Sequence, residues 1–342
     1  MTIKHPRPKA LWKIYMGPLA MAAVVSVFPL LVPDDYSYLL DLAQLCGIYV
    51  IIVCGLTLLM GYTGQVSLGH AAFYALGAYI PAVLVNSLHW PLAAAIFTGI
   101  AGTALISFLI GGSILRLKGN HLALATLAIG IIVGEGISKF AITGGADGIL
   151  GLPVIKFFGL LNTAYGKFYF IWIVVVACLV WAVQLIESPQ GRSLRAIEGD
   201  ESAAESVGIN TFALKVKVFT ASCVLAAIAG TLFAFVQSDG MLLPEEFGLM
   251  MNVQLVTMVV IGGMGSIWGS VAGGVILIAL HEIINMAGMA AGAADTSRIE
   301  NMIFGIMLAL ILILSPTGLI PGLKRATVRV GSMLGVRGAR SR

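Results

Sequence analysis

Polar positions are sparse along this chain, and they fall between long apolar runs rather than at regular intervals within them. Windows of roughly 20 residues, enough for a helix to cross the hydrocarbon of a bilayer, isolate ten candidate spans. They lie near 11–32, 38–60, 66–88, 91–115, 121–140, 168–187, 216–237, 249–265, 269–287 and 299–315. The runs are apolar almost all round, so their rotation is not legible. Glycine-rich strings at Gly61–Gly69 and Gly262–Gly269 interrupt the pattern and predict broken or re-entrant helices around the third, eighth and ninth spans. The expected fold class is an all-α polytopic membrane protein of about ten transmembrane helices, some of them interrupted.

Composition supports the membrane over a large soluble core. Of 342 residues, 59% are hydrophobic and 11% charged, against roughly 25% charged in soluble domains. The 41 glycines suit close helix contacts. Cys46, Cys54, Cys178 and Cys223 all sit in apolar runs with no metal-ligand spacing, and they read as small buried hydrophobes. The first run follows Lys4, Arg7, Lys9 and Lys13 but is too long for a usual signal peptide core and no A-x-A-like site follows. It is expected to be a retained signal anchor.

Charge sets the sidedness. With a cytoplasmic N-terminus and ten crossings, only Lys139, Lys156, Lys167 and Arg298 of the 20 Lys and Arg fall outside. That asymmetry favours an even number of spans with both ends in the cytoplasm. The net charge of +4 flanks apolar segments, without the exposed aromatics of a nucleic-acid surface. The outside string TGGADGILGLP, Thr143 to Pro153, predicts a compact turn-rich loop, either a plain connection or one shaping an external mouth.

The largest inside loop carries SPQGRSLRAIEGDESAAESVGIN, Ser188 to Asn210. Asp200 is a good N-cap, and Glu201 stands in the first turn where the helix dipole favours an anion. Ala203, Ala204 and Val207 read as a small apolar face, and Gly208 is placed to end the helix. The string predicts a short, capped, exposed helix suited to docking in another protein's groove. Glu201, Ala203, Ala204 and Gly208 reproduce the E-x-A-A-x-x-x-G pattern of permeases in binding-protein-dependent ABC importers. The resemblance makes this the coupling helix, seated in a cleft of an ATPase subunit, with Arg195 and Asp200 beside it.

GYTGQVSLGHAAFYALGAYI, Gly61 to Ile80, and VIGGMGSIWGSVAGG, Val260 to Gly274, extend that likeness. Together with TGGADGI and the inside loop, in this order and spacing, they resemble the branched-chain amino acid permease family, its LivM-type subunit. The resemblance covers about residues 40–320. It implies two inverted halves, with spans two to five opposing spans seven to ten. It also implies a homologous LivH-type permease, two cytoplasmic ATPases carrying the ATP and Mg, and a periplasmic solute-binding protein, all at a bacterial inner membrane. No cofactor is expected on this chain. Residues 1–10 would be a cytoplasmic arm, 11–320 the transmembrane domain with the coupling loop at 188–214, and 321–342 a basic tail.

The residues also read physically. Gly265, Gly269 and Gly273 form consecutive G-x-x-x-G steps, and Gly130 and Gly134 form another, each predicting a flat strip for helix packing. Around the first string, Thr63, Gln65, Ser67, His70 and Tyr74 accompany a backbone break. In hydrocarbon such a break has to be buried in protein or line a water-filled path. These five, with Glu135, are the candidate pathway residues. A charge at the bilayer centre costs about 2.5–3.5 kcal/mol on insertion scales, and Glu135 reads as the deepest carboxylate. His281-Glu282 begins an H-E-x-x-H, but Asn285 replaces the second histidine; a helix-end hydrogen bond is expected there instead of zinc. No P-loop and no G-x-S-x-G elbow occurs, the nearest approach at Gly159 to Lys167 having the wrong spacing. The function expected is therefore an importer permease for branched-chain or related amino acids. A urea-type permease of the same family, a proton-coupled secondary transporter using Glu135 or Glu282, a channel and a membrane hydrolase are the alternatives.

Overall fold

A computed structural model describes residues 11–31, 37–117, 119–153, 163–290, 302–303 and 305–307. The expected N-terminal arm, basic tail and most of the tenth span lie outside the described residues. The described residues fold almost wholly into helices: α1 (Leu11–Leu31), α2 (Ser37–Thr63), α3 (His70–Leu88), α4 (Leu92–Ile114), α5 (Asn120–Lys139), α6 (Ala164–Glu187), α7 (Pro189–Gly199), α8 (Glu201–Ser206), α9 (Thr211–Leu232), α10 (Leu249–Gly262) and α11 (Ile267–Ala290). Among the described residues, an antiparallel pair, β1 (Ile149–Leu150) with β2 (Met241–Leu242), sets Ile149 opposite Leu242. Among the described residues, seven helices are long and apolar enough to cross a membrane: α2 to α6, α9 with its wide final turn to Gln237, and α11. Met16–Pro29 and Leu249–Gly262 are shorter apolar helices.

The interior is built on α2 and α9. Their most apolar windows are 78% buried, against 22% for α4 and α5. The outward faces of α4 and α5 present Leu105, Phe108, Leu109, Leu124, Ile131 and Ile132, which cost nothing against lipid and would cost much against water. Contact between α3 and α9 is closest at two glycines. A Cβ on Gly77 would overlap the Ala227 backbone, and one on Gly230 the Tyr74 carbonyl. The Thr231 hydroxyl donates to the Gly77 carbonyl at 2.9 Å across the same seam. These contacts make α3 and α9 one packed unit.

Both interruptions expected from glycine exist. Residues 64–69 are non-helical between α2 and α3, with Gly64 at φ +66. Residues 263–266 are non-helical between α10 and α11, with Gly263 at φ +95. The two meet: a Cβ on Gly61 would overlap the Met264 carbonyl, and the Tyr62 hydroxyl donates to the Gly265 carbonyl at 3.3 Å. The third helix starts at His70 rather than residue 66, the backbone amides of Leu68 and Ala71 at its start being taken by the Thr126 and Asn252 side chains of other helices.

The glycine strips need correction in part. Gly269 and Gly273 do pack closely, against the Gly262 and Met258 carbonyls, and Gly130 lies against Gly69 and Asn252. A Cβ on Gly265 or Gly134 would meet nothing. Gly265 sits in the turn before α11, and Gly134 has no neighbour on its side of α5. Neither completes a packing step.

The loop after α5 is compact, as expected. Two short 3-10 turns, Ala141–Thr143 and Gly145–Asp147, lead into β1. The Thr143 hydroxyl donates to the Ile137 carbonyl at 2.6 Å. A Cβ on Gly148 would overlap the Leu242 carbonyl, so the turn at φ +72 admits only glycine without shifting β2.

Candidate functional site: the capped loop and the broken helix

The loop between α6 and α9 is held by a chain of side-chain caps. Ser188 caps α7 by accepting from Gly191 N, Asp200 caps α8 by accepting from Ala203 N at 3.0 Å, and Asn210 caps α9 by accepting from Ala213 N at 2.9 Å. Each satisfies one of the amide groups that a helix start leaves without an intrahelical partner. The end of α8 is a Schellman motif: Gly208 N donates to Glu205 O at 2.9 Å and Ile209 N to Ala204 O at 3.1 Å. Gly208 takes φ +86 there, which costs glycine nothing and other residues of order 1–3 kcal/mol.

The faces of α8 differ from the sequence expectation. Ala204 is buried against the protein, whereas Ala203 is exposed and Val207 is 76% exposed. The three do not form one apolar face. Ala204 seats the helix on its own chain, while Ala203 and Val207 point outward with Ser202 and Ser206. Glu201 serves more than the helix dipole: its carboxylate meets the Lys215 ammonium of α9 at 2.6 Å. The Thr211 hydroxyl donates to the Glu205 carboxylate at 2.6 Å. Arg195 stacks over the Tyr62 ring at 5.9 Å and donates to the Ile186 carbonyl at 3.4 Å, tying α7 to α2 and α6.

The break before α3 is the second polar assembly. His70 is buried, its two ring nitrogens sharing hydrogen bonds with the Ser67 hydroxyl at 2.9 Å and the Ser222 hydroxyl of α9 at 2.6 Å. Leu68 N donates to the Thr126 hydroxyl of α5 at 3.0 Å, and Ala71 N to the Asn252 side-chain oxygen of α10 at 2.9 Å. The start of α3 is thus held from three other helices, its amides by α5 and α10 and its His70 ring by α9. Ser222 stands 11 residues into α9, about 16 Å along a helix of 1.5 Å rise. α9 with its final turn runs 27 residues, so the break lies near mid-depth, where free backbone amides have no water to bond.

The remaining candidates fare unequally. Thr63 donates to the Leu59 carbonyl of its own helix at 2.6 Å. Gln65 is buried with its amide oxygen unpartnered. Tyr74 is buried among aromatic rings, 4.9 Å from Phe247 and 5.8 Å from Phe233 between centroids. Glu135 is not deep. It lies in the last turns of α5, exposed, paired with Lys139 at 2.9 Å, and hydropathy windows could not reveal that depth. His281 bonds Asn285 one turn on at 3.0 Å, but Glu282 sits eight residues before the end of α11 and accepts from the Tyr38 hydroxyl of α2 at 2.8 Å, a bond between helices rather than the helix-end bond expected. Among the described residues no three His, Cys, Asp or Glu gather as metal ligands. All four cysteines are buried and free.

Sequence reasoning missed Lys215, Ser222, Thr126 and Asn252. Lys215 was counted only as an orientation charge, although its i+4 spacing from Thr211 puts both on the α9 face toward the loop. Ser222, Thr126 and Asn252 were polar residues inside apolar runs, the signal to follow.

Comparison with known proteins completes the picture. A family model described as the permease component of the branched-chain amino acid transport system matches residues 38–312. The chain is 31% identical to the LivM permease of the high-affinity branched-chain amino acid transport system of Escherichia coli, over 82% of this chain and 69% of that one. It is 26% identical to the LivH permease of the same organism, covering 80% and 91%. The ribose import permease RbsC of Haemophilus influenzae is 26% identical over 87% and 91%. No solved structure matches the chain. A helical membrane scaffold with a capped inner loop, matched by this family's model over most of its length, belongs to the branched-chain amino acid transport permeases.

Proposed function

We propose that this chain is the membrane-spanning permease subunit of an ATP-driven importer for branched-chain or related amino acids. It would pair with a LivH-type permease, two cytoplasmic ATPases holding ATP and Mg, and a periplasmic binding protein that delivers the solute. The observation that carries this is α8, a capped helix whose outer side is exposed while its inner side is fixed to α9 by Glu201–Lys215. Such a helix can take a push from outside and pass it inward. Family membership supplies the context.

In this reading the two shorter apolar helices and the segment at 299–315 complete ten spans, with both termini cytoplasmic and the protein in a bacterial inner membrane. The halves run from α2 to α5 and from α9 onward. The central positions of α2 and α9, each followed by a non-helical stretch and a further apolar helix, support that pairing. ATP binding closes the ATPases, moves α8, and opens the pathway outward; the break at 64–69, with Gln65, Ser67 and His70, forms part of that pathway. The folded loop at 141–153 shapes the outer mouth. The urea-type reading gains no observation of its own, and for the proton-coupled reading Glu135 is held in an exposed pair with Lys139 and Glu282 accepts a hydrogen bond from Tyr38 of α2.

The test is to tag the chain at its C-terminus, extract it gently from native membranes and identify what co-purifies. Two ATPases and a second permease are the expected companions. Recovery of this chain alone after crosslinking would contradict the proposal.

A further inference from the structure

Lys215 is a buried cation, 9% exposed at its side chain, and Glu201 opposite it is 28% exposed. Taking two charges out of water costs several kcal/mol each and is rarely repaid in stability, since an apolar pair holds a helix as well. What a charge pair gives instead is direction: one geometry, short and specific. The pair sits on a definite face of α9. Thr211, Lys215 and Ser222 are spaced by four and seven residues, one and two turns of helix, and so project from the same side. Phe219 lies between them on that side, its ring edge-on to His70 at 6.3 Å and to Phe73 at 5.5 Å.

That face therefore carries three successive contacts. At the inner end, Thr211 and Lys215 grip Glu205 and Glu201 of α8. One turn further, Phe219 bears on His70 and Phe73 of α3. At mid-depth, Ser222 bonds His70, the first residue of α3 after the break. From there to the outer side, α3 and α9 are locked by Gly77, Gly230 and the Thr231 hydroxyl. A shift of α8 along the membrane has a continuous solid route to the break.

We infer that the Thr211–Lys215–Phe219–Ser222 face of α9 transmits the movement of the coupling helix to the mid-membrane break, with Lys215 as the positioning residue at its inner end. This rests on reading α8 as the ATPase-docking helix. Lys215 touches neither solute nor ATPase; it decides how far α9 follows α8. The α2–α3 linker, with Gly64 at φ +66, is where the displaced α3 turns relative to α2.

The test uses the complete complex, co-purified with its ATPases and reconstituted with binding protein and solute, and reads solute imported per ATP hydrolysed. Glu201→Gln, Lys215→Met, the double variant, Lys215→Arg and Ser222→Ala are compared. The expected result is a ratio lowered about fivefold or more by each neutralised single variant, the scale of one coupling contact. The double should be no lower than the worse single, Lys215→Arg should recover most of the ratio, and Ser222→Ala should lower it with the inner pair intact. An unchanged ratio in Lys215→Met overturns the inference, and so do losses that multiply in the double. Lower complex yield and melting temperature with a normal ratio per assembled complex would mark Lys215 as merely structural, and that too overturns it. If the wild-type preparation contains no ATPases, the importer reading itself fails; an ATP-hydrolysing complex indifferent to Lys215 defeats only the transmission role.

Discussion

The two glycine-rich interruptions look alike in sequence and differ in what surrounds them. At 262–269 glycine serves backbone proximity: Gly262 and Gly269 lie so close that a Cβ on either would overlap the other's carbonyl. At 61–70 the glycines share the break with polar side chains, and amides or side chains of residues 67–71 find partners on α5, α9 and α10. The first arrangement is a weld, where nothing is left to rearrange. The second has close backbone contacts too, Gly61 on the Met264 carbonyl and Gly69 on the Thr126 carbonyl, and adds a set of exchangeable hydrogen bonds at mid-depth, the construction expected of a segment that alternates between two positions. Glycine content alone does not separate a weld from a hinge; the neighbouring polar residues do.

Substitutions can break that contrast, beginning with the largest effect. Gly262→Val should cost more than about 3 kcal/mol, because the branched side chain meets fixed backbone rather than a side chain able to turn away. Folded protein recovered from membranes should be nearly absent. Gly265→Ala, three residues away in open space, should stay within about 0.5 kcal/mol of wild type in a thermal melt. Equal behaviour of these two variants would refute the close-packed description of the turn.

At the other break the effect should fall on transport more than on folding. Ser222→Ala leaves one buried ring nitrogen of His70 without its partner, a loss of about 1–3 kcal/mol. Protein should still reach the membrane, with uptake reduced. Gly208→Val comes next. Its φ of +86 charges a β-branched residue about 1–3 kcal/mol, confined to the end of α8, so uptake should drop while membrane levels hold. Normal uptake would count against the docking role of the loop. Glu135→Gln should do least. An exposed ion pair is worth about 0–1 kcal/mol, and uptake should match wild type; a large loss would restore Glu135 as a functional carboxylate.

Much of this was legible beforehand, and the rest was hidden for definable reasons. Apolar length placed α2 at 38–60 against an observed Ser37–Thr63, and α4 at 91–115 against Leu92–Ile114. The caps at Asp200 and Gly208 were readable because a cap is a local interaction. Rotation was not. The six residues of α8 are too few to show by pattern that Ala204 faces in while Val207 faces out, and the nearly uniform apolar spans gave no sign that Gly134 faces away from its neighbours. Depth was not legible either: Glu135 lay within an apolar window, but Lys139 at i+4 was the clue that it sits at a helix end. Lys215 escaped because its partner Glu201 lies fourteen positions away across a loop, and only the packed structure brings them together.

The central claim is that ATP, acting through α8, moves this permease. The most direct test is uptake of a labelled branched-chain amino acid into proteoliposomes holding the purified complex, with binding protein outside and ATP inside. The account predicts uptake that requires internal ATP and continues when the proton gradient is collapsed. Uptake that disappears with the gradient while ATP is held constant would contradict it.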